Sequence, residues 1–463
     1  MNSSLATAIR TLIAEDLAVP PATTLDADDR REFARQQVFT HLDNLTTGNE
    51  PEWPPCANTE EEHRLAQSVL DALFGMGRLQ AHIDNPAIEN IDVNGSDCVW
   101  ATFADGTKRM MSAIADSDEE LIEMVRSAAS RFGLSERRFD LACPELDLRL
   151  PDGSRLSALM AVTARPVVSV RRHRYSDLDL SDLTATGMFD EEIASLLRAA
   201  VRAQKNVVIS GAMNSGKTTL LRALAGEIPP RERIVTIEQA LELGLESVPH
   251  RHPDMVALEA RPANVEGEGL ISVADLVRRA LRMNADRVIV GEVLGDEVLP
   301  MLNAMSQGRS GSMCTIHSDS SAGVFRRIAS YAVQARERLP LEATNLLIAG
   351  AIHFVVHLDS EIDDDIGHTS DEDSDISGWM GADGPDDGGR CTEFVTGKPR
   401  KRFVSSIREV VDADGVQVIS NEVYRPATDR RAVVASPLRS STLTELQRFG
   451  YRARSTDLVG LPT

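Results

Sequence analysis

The stretch from Val207 to Leu221, VVISGAMNSGKTTLL, limits what this chain can fold into more than any other. Val207-Val208-Ile209 is a short β-branched run of the kind that forms a buried parallel strand. Gly211-Ala-Met-Asn-Ser-Gly216-Lys217-Thr218 follows with the spacing G-x-x-x-x-G-K-[ST]. Thr219 to Leu224 then has the composition and apolar spacing of a packed helix. In that strand, loop and helix context, Gly211 and Gly216 let the backbone turn so that successive N–H groups converge on phosphate oxygens. The helix N-terminus adds partial positive charge. Lys217 is placed to reach β- and γ-phosphates, and the Thr218 hydroxyl to hold Mg²⁺. The expected phosphate-binding set is Gly211, Asn214, Ser215, Gly216, Lys217, Thr218 and Thr219, with ATP and Mg²⁺ as cofactors.

The remaining sequence sets bounds on this element. A chain of 463 residues has room for several domains with substantial cores. Its formal net charge of −22 weighs against a surface that holds nucleic acid or anionic lipid by counterion release, so no direct nucleic-acid contact is expected. Cys56, Cys98, Cys143, Cys314 and Cys391 show no C-x-x-C spacing and read as reduced thiols of a cytosolic protein. Arg10, Glu15 and Asp16 interrupt the first residues, so no signal peptide is read there. No apolar run approaches the ~20 residues of a membrane helix. Work at a membrane would therefore mean docking from the cytosolic side.

In chain order, residues 1–77 are expected to form a leading helical segment. Leu65, Val69 and Leu73 fall on one helical face, and Gly75 and Gly77 end it. Pro51 to Pro55 reads as an interhelical loop. Residues 78–174 alternate like an α+β domain. Asn90–Asn94 and Cys98–Phe103 have strand periodicity, with a turn at Asp105-Gly106. Ser117-Asp-Glu-Glu120 is a capping box ahead of a helix carrying Leu121, Val125 and Ala128, closed by Gly133. Leu146, Leu148 and Leu150 alternate into a turn at Asp152-Gly153, and Arg155–Met160 returns. Residues 175–183 read as a polar linker. Residues 184–358 alternate apolar runs with helical patterns, at Ile234–Ile237, Val288–Val290, Met313–Ile316 and Phe354–Val356, which predicts a parallel sheet with crossover helices. Residues 359–397 are dense in Asp and Glu and are expected to be a disordered acidic insertion. The basic cluster Lys398-Pro-Arg-Lys-Arg402 is left open between pairing with that insertion and facing anionic lipid. Residues 398–463 are expected to pack back on the core.

Hydrolysis needs a carboxylate near Mg²⁺ and the attacking water. Arg287-Val-Ile-Val-Gly-Glu292 and Ile234-Val-Thr-Ile-Glu238 are apolar strands that end in acids. In a parallel sheet both acids emerge at the carboxyl edge, beside the phosphate loop. Three further stretches join that loop: Thr236-Ile-Glu-Gln-Ala-Leu-Glu-Leu243, Leu276-Val-Arg-Arg-Ala-Leu-Arg-Met-Asn-Ala-Asp-Arg-Val-Ile-Val-Gly-Glu292 and Gly308-Arg-Ser-Gly-Ser-Met-Cys-Thr-Ile-His317. With their order and spacing, the chain from about Leu73 to Leu358 resembles the ATPases of the type II/type IV secretion and type IV pilus superfamily. Within it, the chain looks like the CpaF-type branch of tight-adherence pilus systems. The three stretches are similar to that family's Asp box, Walker B region and His box.

The resemblance implies a fold and a set of roles. The fold is α/β, a RecA-like P-loop ATPase core with an N-terminal α+β domain and a leading helical segment. Glu238 would orient or activate water, Glu292 would hold the Mg²⁺ shell, and His317 would sense the γ-phosphate. Arg278 and Arg282, four apart, would share a helix face and neutralise transition-state charge. Arg171 and Arg172 would close over the nucleotide from the N-terminal domain. Each of these arginines has the alternative of an ordinary surface ion pair. The resemblance further implies a cytosolic ring of identical copies, a hexamer, acting on a polytopic inner-membrane platform. Three departures stand out: Gln239 where an aspartate is usual, Arg309-Ser310 where His-Asp is usual, and Leu294 where an arginine is usual. They leave open a nucleotide-gated scaffold that hydrolyses little. A conjugative DNA-transfer ATPase is the other alternative to pilus assembly or secretion.

Overall fold

The computed structural model describes residues 3–47, 56, 58–103, 107–132, 138–172, 178–264, 267–306, 310–362 and 400–452. They divide into two compact units, one up to residue 172 and one formed by 178–362 with 400–452.

The first unit opens with three helices, Ser3–Leu17, Ala27–Thr47 and Thr59–Phe74. Leu5, Ile9, Ile13 and Leu17 recur every fourth residue and bury against Ala34, Val38, Leu42, Leu65 and Val69. Asn58 caps the third helix by accepting from Glu61 N–H, and Gly75 follows its last residue. Six strands come next: β1 Ile88–Asn94, β2 Val99–Phe103, β3 Lys108–Met111, β4 Glu145–Arg149, β5 Arg155–Leu159 and β6 Val167–Arg171. They form an antiparallel sheet in the order β3-β2-β1-β6-β5-β4. Helix Asp118–Phe132 covers one face with Leu121, Val125 and Ala128. Ser117 Oγ accepts from Glu120 N–H at its start. The Glu120 carboxylate, however, reaches back to Asp116 N–H, one residue short of a full capping box. Pro51 to Pro55, the turn Asp105-Gly106 and Gly133 lie outside the described residues.

The second unit is a nine-stranded sheet: β7 Val207–Gly211, β8 Ile234–Glu238, β9 Met255–Glu259, β10 Arg287–Val293, β11 Met313–His317, β12 Phe354–Ile362, β13 Arg400–Ala413, β14 Val418–Pro426 and β15 Ala432–Val434. The order is β15-β14-β13-β12-β7-β11-β10-β8-β9, parallel from β12 to β9 and antiparallel from β12 to β15. Both faces of the parallel part are buried, which is why its strands are continuous apolar runs. Val207 and Ile209 face one core with helices Glu191–Arg202 and Lys217–Ala225. Val208, Val288 and Val290 face the other, with helices Val273–Ala280, Val298–Ser306, Gly323–Gln334 and Leu341–Ala351. This is the RecA-like core of an α/β P-loop protein.

Two expected boundaries shift. The linker assigned to 175–183 ends early, because Asp179 and Asp182 form a reciprocal capping box that starts helix Leu180–Ala185. Leu180 and Leu183 of that helix are buried in the core, so the polar reading missed its apolar face. The last parallel strand runs past Leu358 to Ile362, with Asp359–Ile362 paired to Phe403–Arg400, so the first residues assigned to the insertion are strand. Residues 363–399 lie outside the described set. The segment after them extends the sheet itself and contributes Val404, Ile407, Val423 and Tyr424 to the core.

Candidate functional site

The phosphate loop joins β7 to helix Lys217–Ala225. A Cβ on Gly211 would lie 2.5 Å from Ser215 Oγ and 2.6 Å from Leu358 O, so only glycine fits there. Gly216 (φ +95°) and Asn214 (φ +60°) take left-handed conformations, which turn the loop back onto the helix N-terminus. Thr218 and Thr219 are half-buried in the first turn. Ser215 Oγ is buried inside the loop with no partner among the described residues.

Lys217 is buried, and its ammonium donates to Ala212 O at 2.8 Å, to Gly211 O at 3.3 Å and to His317 Nδ1 at 3.1 Å. His317 Nε2 lies 2.7 Å from Glu292 Oε1. An ammonium can only donate, so Nδ1 is the acceptor and Nε2–H donates to the carboxylate. One chain of contacts thus runs from the phosphate loop through the histidine on β11 to the acid on β10. Register places them together: Gly211 pairs with His317 on one side and with Leu358 on the other, and Ile316 pairs with Val293. All these positions are at the carboxyl ends of parallel strands, where ligands of such sheets bind. Asn206 fixes the start of the His strand. Its Oδ1 accepts from Gly311 and Ser312 N–H, and its Nδ2 donates to Met305 and Ala351 carbonyls.

Glu238 is on the same edge but differently employed. Its strand is the third out from β7, about 14 Å away at a strand spacing of ~4.8 Å. Its Oε1 accepts from Glu242 and Leu243 N–H at 3.0 and 2.9 Å, while Oε2 is buried without a partner among the described residues. The side chain lies against Gly291, where a Cβ would stand 2.8 Å from Glu238 Cγ. Burial pushes the Glu238 carboxyl up to about 7, against the pull of the two N–H donors. Glu259 pairs beside it on β9, and its carboxylate accepts from Leu241 N–H at 3.3 Å.

The arginines are not gathered at this edge. Helix Val273–Ala280 ends before Arg282, which sits in the following turn, so Arg278 and Arg282 do not share a helix face as their spacing suggested. Arg278 contacts Asp275 and Glu337. Met283 O accepts from Arg233 Nε just before β8 begins, which puts Arg282 at the amino edge of the sheet, opposite the phosphate loop. Arg171 and Arg172 close β6 in the first unit, where Arg172 Nη1 donates to Asn85 O at 2.5 Å. Of the altered positions, Gln239 and Leu294 are exposed and Arg309 lies outside the described residues.

Three contacts had no motif to announce them. Thr315 Oγ1 donates to Gly291 O at 2.6 Å, tying β11 to the Walker B strand. His357 Nδ1 lies 3.0 Å from Ser210 Oγ beneath the loop, and burial lowers its tendency to protonate. Arg402 Nε, on β13, donates to Asn214 O at 2.9 Å. All three partners come from strands distant in sequence, so the only signal available was the sheet order.

The residues suit MgATP. The loop offers convergent N–H groups and an unengaged buried hydroxyl to phosphate oxygens. The Thr218 hydroxyl and the Glu292 carboxylate are hard oxygen donors. Among the described residues, no cluster of three or more His, Cys, Asp or Glu forms a protein-only metal cage. Mg²⁺ at a nucleotide site needs none, because it is held by one or two side chains together with phosphate and water.

Comparison with known proteins extends this picture. The profile of type II/IV secretion system proteins matches residues 75–422. A putative conjugal transfer protein of Mycobacterium tuberculosis is 35% identical over 295 residues, covering 62% of this chain and 80% of that protein. The type IV secretion system protein VirB11 of Brucella suis is 28% identical over 325 residues, covering 64% of this chain and 87% of its own. The crystal structure of VirB11 from Brucella suis, in complex with sulphate, aligns over 66% of this chain and 94% of its own, with 26% identity and a TM-score of 0.33.

Proposed function

We infer that this chain, which belongs to the family of type II/IV secretion system proteins, hydrolyses MgATP in a ring of identical copies to drive secretion or pilus assembly through a membrane platform. The observation that carries this reading is the unbroken contact chain Lys217–His317–Glu292, which joins three separated sequence boxes at one sheet edge.

Bound Mg²⁺ would supply charge neutralisation of the phosphates and a fixed geometry for displacement. Lys217 would exchange its hold on the loop carbonyls and His317 for phosphate oxygens. Thr218 and Glu292 would hold the metal shell. His317, released on Nδ1, would report whether the γ-phosphate is present while staying oriented by Glu292. Glu238 would contribute to water activation once its buried carboxyl opens toward the site. Arg278 and Arg282, at the far edge of their own sheet, would serve the site of a neighbouring copy in a hexameric ring. Arg171 and Arg172 would close over the nucleotide from the first unit.

Among the described residues no helix is long and apolar enough to cross a membrane. The place of action proposed is the cytoplasmic face of a membrane. The cargo proposed is a tight-adherence pilus or a secreted protein, with conjugative DNA transfer as the alternative. One observation favours a second reading, a nucleotide-gated scaffold: Glu238 is buried and bound to its own loop. Steady-state phosphate release separates the two. Turnover that Glu292→Gln and Lys217→Ala both remove supports the motor; nucleotide binding with turnover no higher than in those variants supports the scaffold. Size in solution with and without a non-hydrolysable ATP analogue tests the ring.

A further inference from the structure

β12 does not stop level with its neighbours. Leu358 is in register with Gly211 at the end of β7, and the strand continues four residues further to Ile362. At ~3.3 Å per residue, that overhang rises about 13 Å beyond the carboxyl edge. Its antiparallel mate carries Lys401 and Arg402 back down, with Arg402 opposite Ser360. The overhang is braced from the far side. Arg430 contacts Asp359 at 3.0 Å and Ser360 O at 3.3 Å, Arg431 lies over the Phe403 ring, and Arg431 also donates to Gly187 O. The hairpin end is therefore a held, basic wall beside the phosphate loop.

Arg402 reaches from that wall to the loop at two points. Its Nε donates to the carbonyl of Asn214, and its Cδ stands 3.3 Å from where a Cβ of Gly216 would be. Carbonyl accounting explains why this matters. A loop whose N–H groups turn inward to meet phosphate must turn its carbonyls outward. Lys217 caps those of Gly211 and Ala212, and Arg402 caps that of Asn214. Asn214 is also the loop's non-glycine residue with positive φ, a conformation that a polar side chain tolerates at some cost. A charge-assisted bond on its carbonyl offsets that cost in the free protein.

We propose that Arg402 is a positioning residue of the nucleotide site, holding the Asn214 turn in its phosphate-binding shape. The C-terminal antiparallel hairpin is thereby part of the ATP-binding machinery. This rests on the reading of the loop as a triphosphate site.

The test is equilibrium binding of a non-hydrolysable ATP analogue and of inorganic tripolyphosphate to the full chain, for the parent, Arg402→Ala, Arg402→Lys and Lys217→Ala. Arg402→Ala should weaken both ligands by the same factor, about tenfold, as expected for one charge-assisted bond. Arg402→Lys, which keeps a donor at similar reach, should recover most of the loss. In turnover, KM should rise with kcat little changed, and the melting temperature should fall by no more than about 3–6 °C, the worth of one such bond to a unit of this size. Unchanged affinities for Arg402→Ala, or weakening of the ATP analogue alone, would overturn the proposal, the second because it would mean direct contact with base or ribose. A Lys217→Ala protein that binds both ligands like the parent would instead refute the nucleotide-site reading beneath it.

Discussion

Replacing Glu238 by glutamine should make the protein more resistant to unfolding as pH rises, relative to the parent. Glu238 Oε1 accepts two backbone N–H bonds, which a glutamine oxygen can also accept. What the variant removes is the ionisation. Burial raises this carboxyl from its ordinary 4.5 to about 7. Below pH 4.5 the group is protonated whether folded or not, and it contributes nothing to the pH dependence. Between 4.5 and 7 the unfolded chain gives up the proton while the folded chain keeps it, so stability falls as pH rises. Above 7 the folded carboxylate is charged, and the full cost is present. At about 1.4 kcal/mol per pH unit, the cost accumulated between pH 5 and pH 8 is about 2–3 kcal/mol. Glu238→Gln carries none of it. The variant's new amide places a buried N–H₂ where Oε2 stood, but that cost does not vary with pH. The quantity to measure is therefore the difference in melting temperature, variant minus parent, at pH 5, 6, 7 and 8. It should grow by about 5–10 °C across that range for a unit of this size. Parallel curves for the two proteins would refute the reasoning, because they would mean that Glu238 ionises freely and is not enclosed beneath Gly291.

Other expectations follow from the same edge of the sheet. Lys217→Ala should abolish phosphate release, checked by steady-state assay at saturating Mg²⁺. Gly291→Ala places a Cβ 2.8 Å from Glu238 Cγ, and such overpacking costs about 1–3 kcal/mol. It should lower the melting temperature by several degrees and displace Glu238 from its two N–H donors, visible as faster amide exchange at Glu242 and Leu243. Asn206→Ala strands two buried N–H groups and two buried carbonyls, so a loss of about 3 kcal/mol or more is expected in urea unfolding.

Much of the second unit could be read from the chain because its determinants are local. Val207–Leu221 carries strand, turn glycines and helix within one continuous stretch, and the apolar runs at 234, 288, 313 and 354 are long enough to be strands buried on both faces. The four boxes also carried the family, to which the chain belongs by its match over residues 75–422. Three features were hidden for physical reasons. β9 is an edge strand whose five residues are all half-buried, and its apolar run, Met255–Leu258, is too short for periodicity to tell a strand from a helical fragment. The helix through Arg278 ends at Ala280 with no proline or glycine to mark it, and Asn284 in the turn beyond takes positive φ. Arg402 reaches the loop only because an antiparallel strand was added beside β12, a pairing that no local pattern encodes.

The hairpin between β12 and β13 also sets what can be built into this chain. Ile362 and Arg400 already sit opposite one another as ladder partners, so the ends of everything between them are joined whatever its length. Lengthening such a closed excursion costs only about 0.6 kcal/mol for each doubling. A fluorescent tag or epitope spliced directly after Ile362 should leave the nine-stranded sheet intact, and its point of attachment would be the end of the strand pair that touches the nucleotide loop. The position is thus a natural place to mount an optical reporter of nucleotide occupancy.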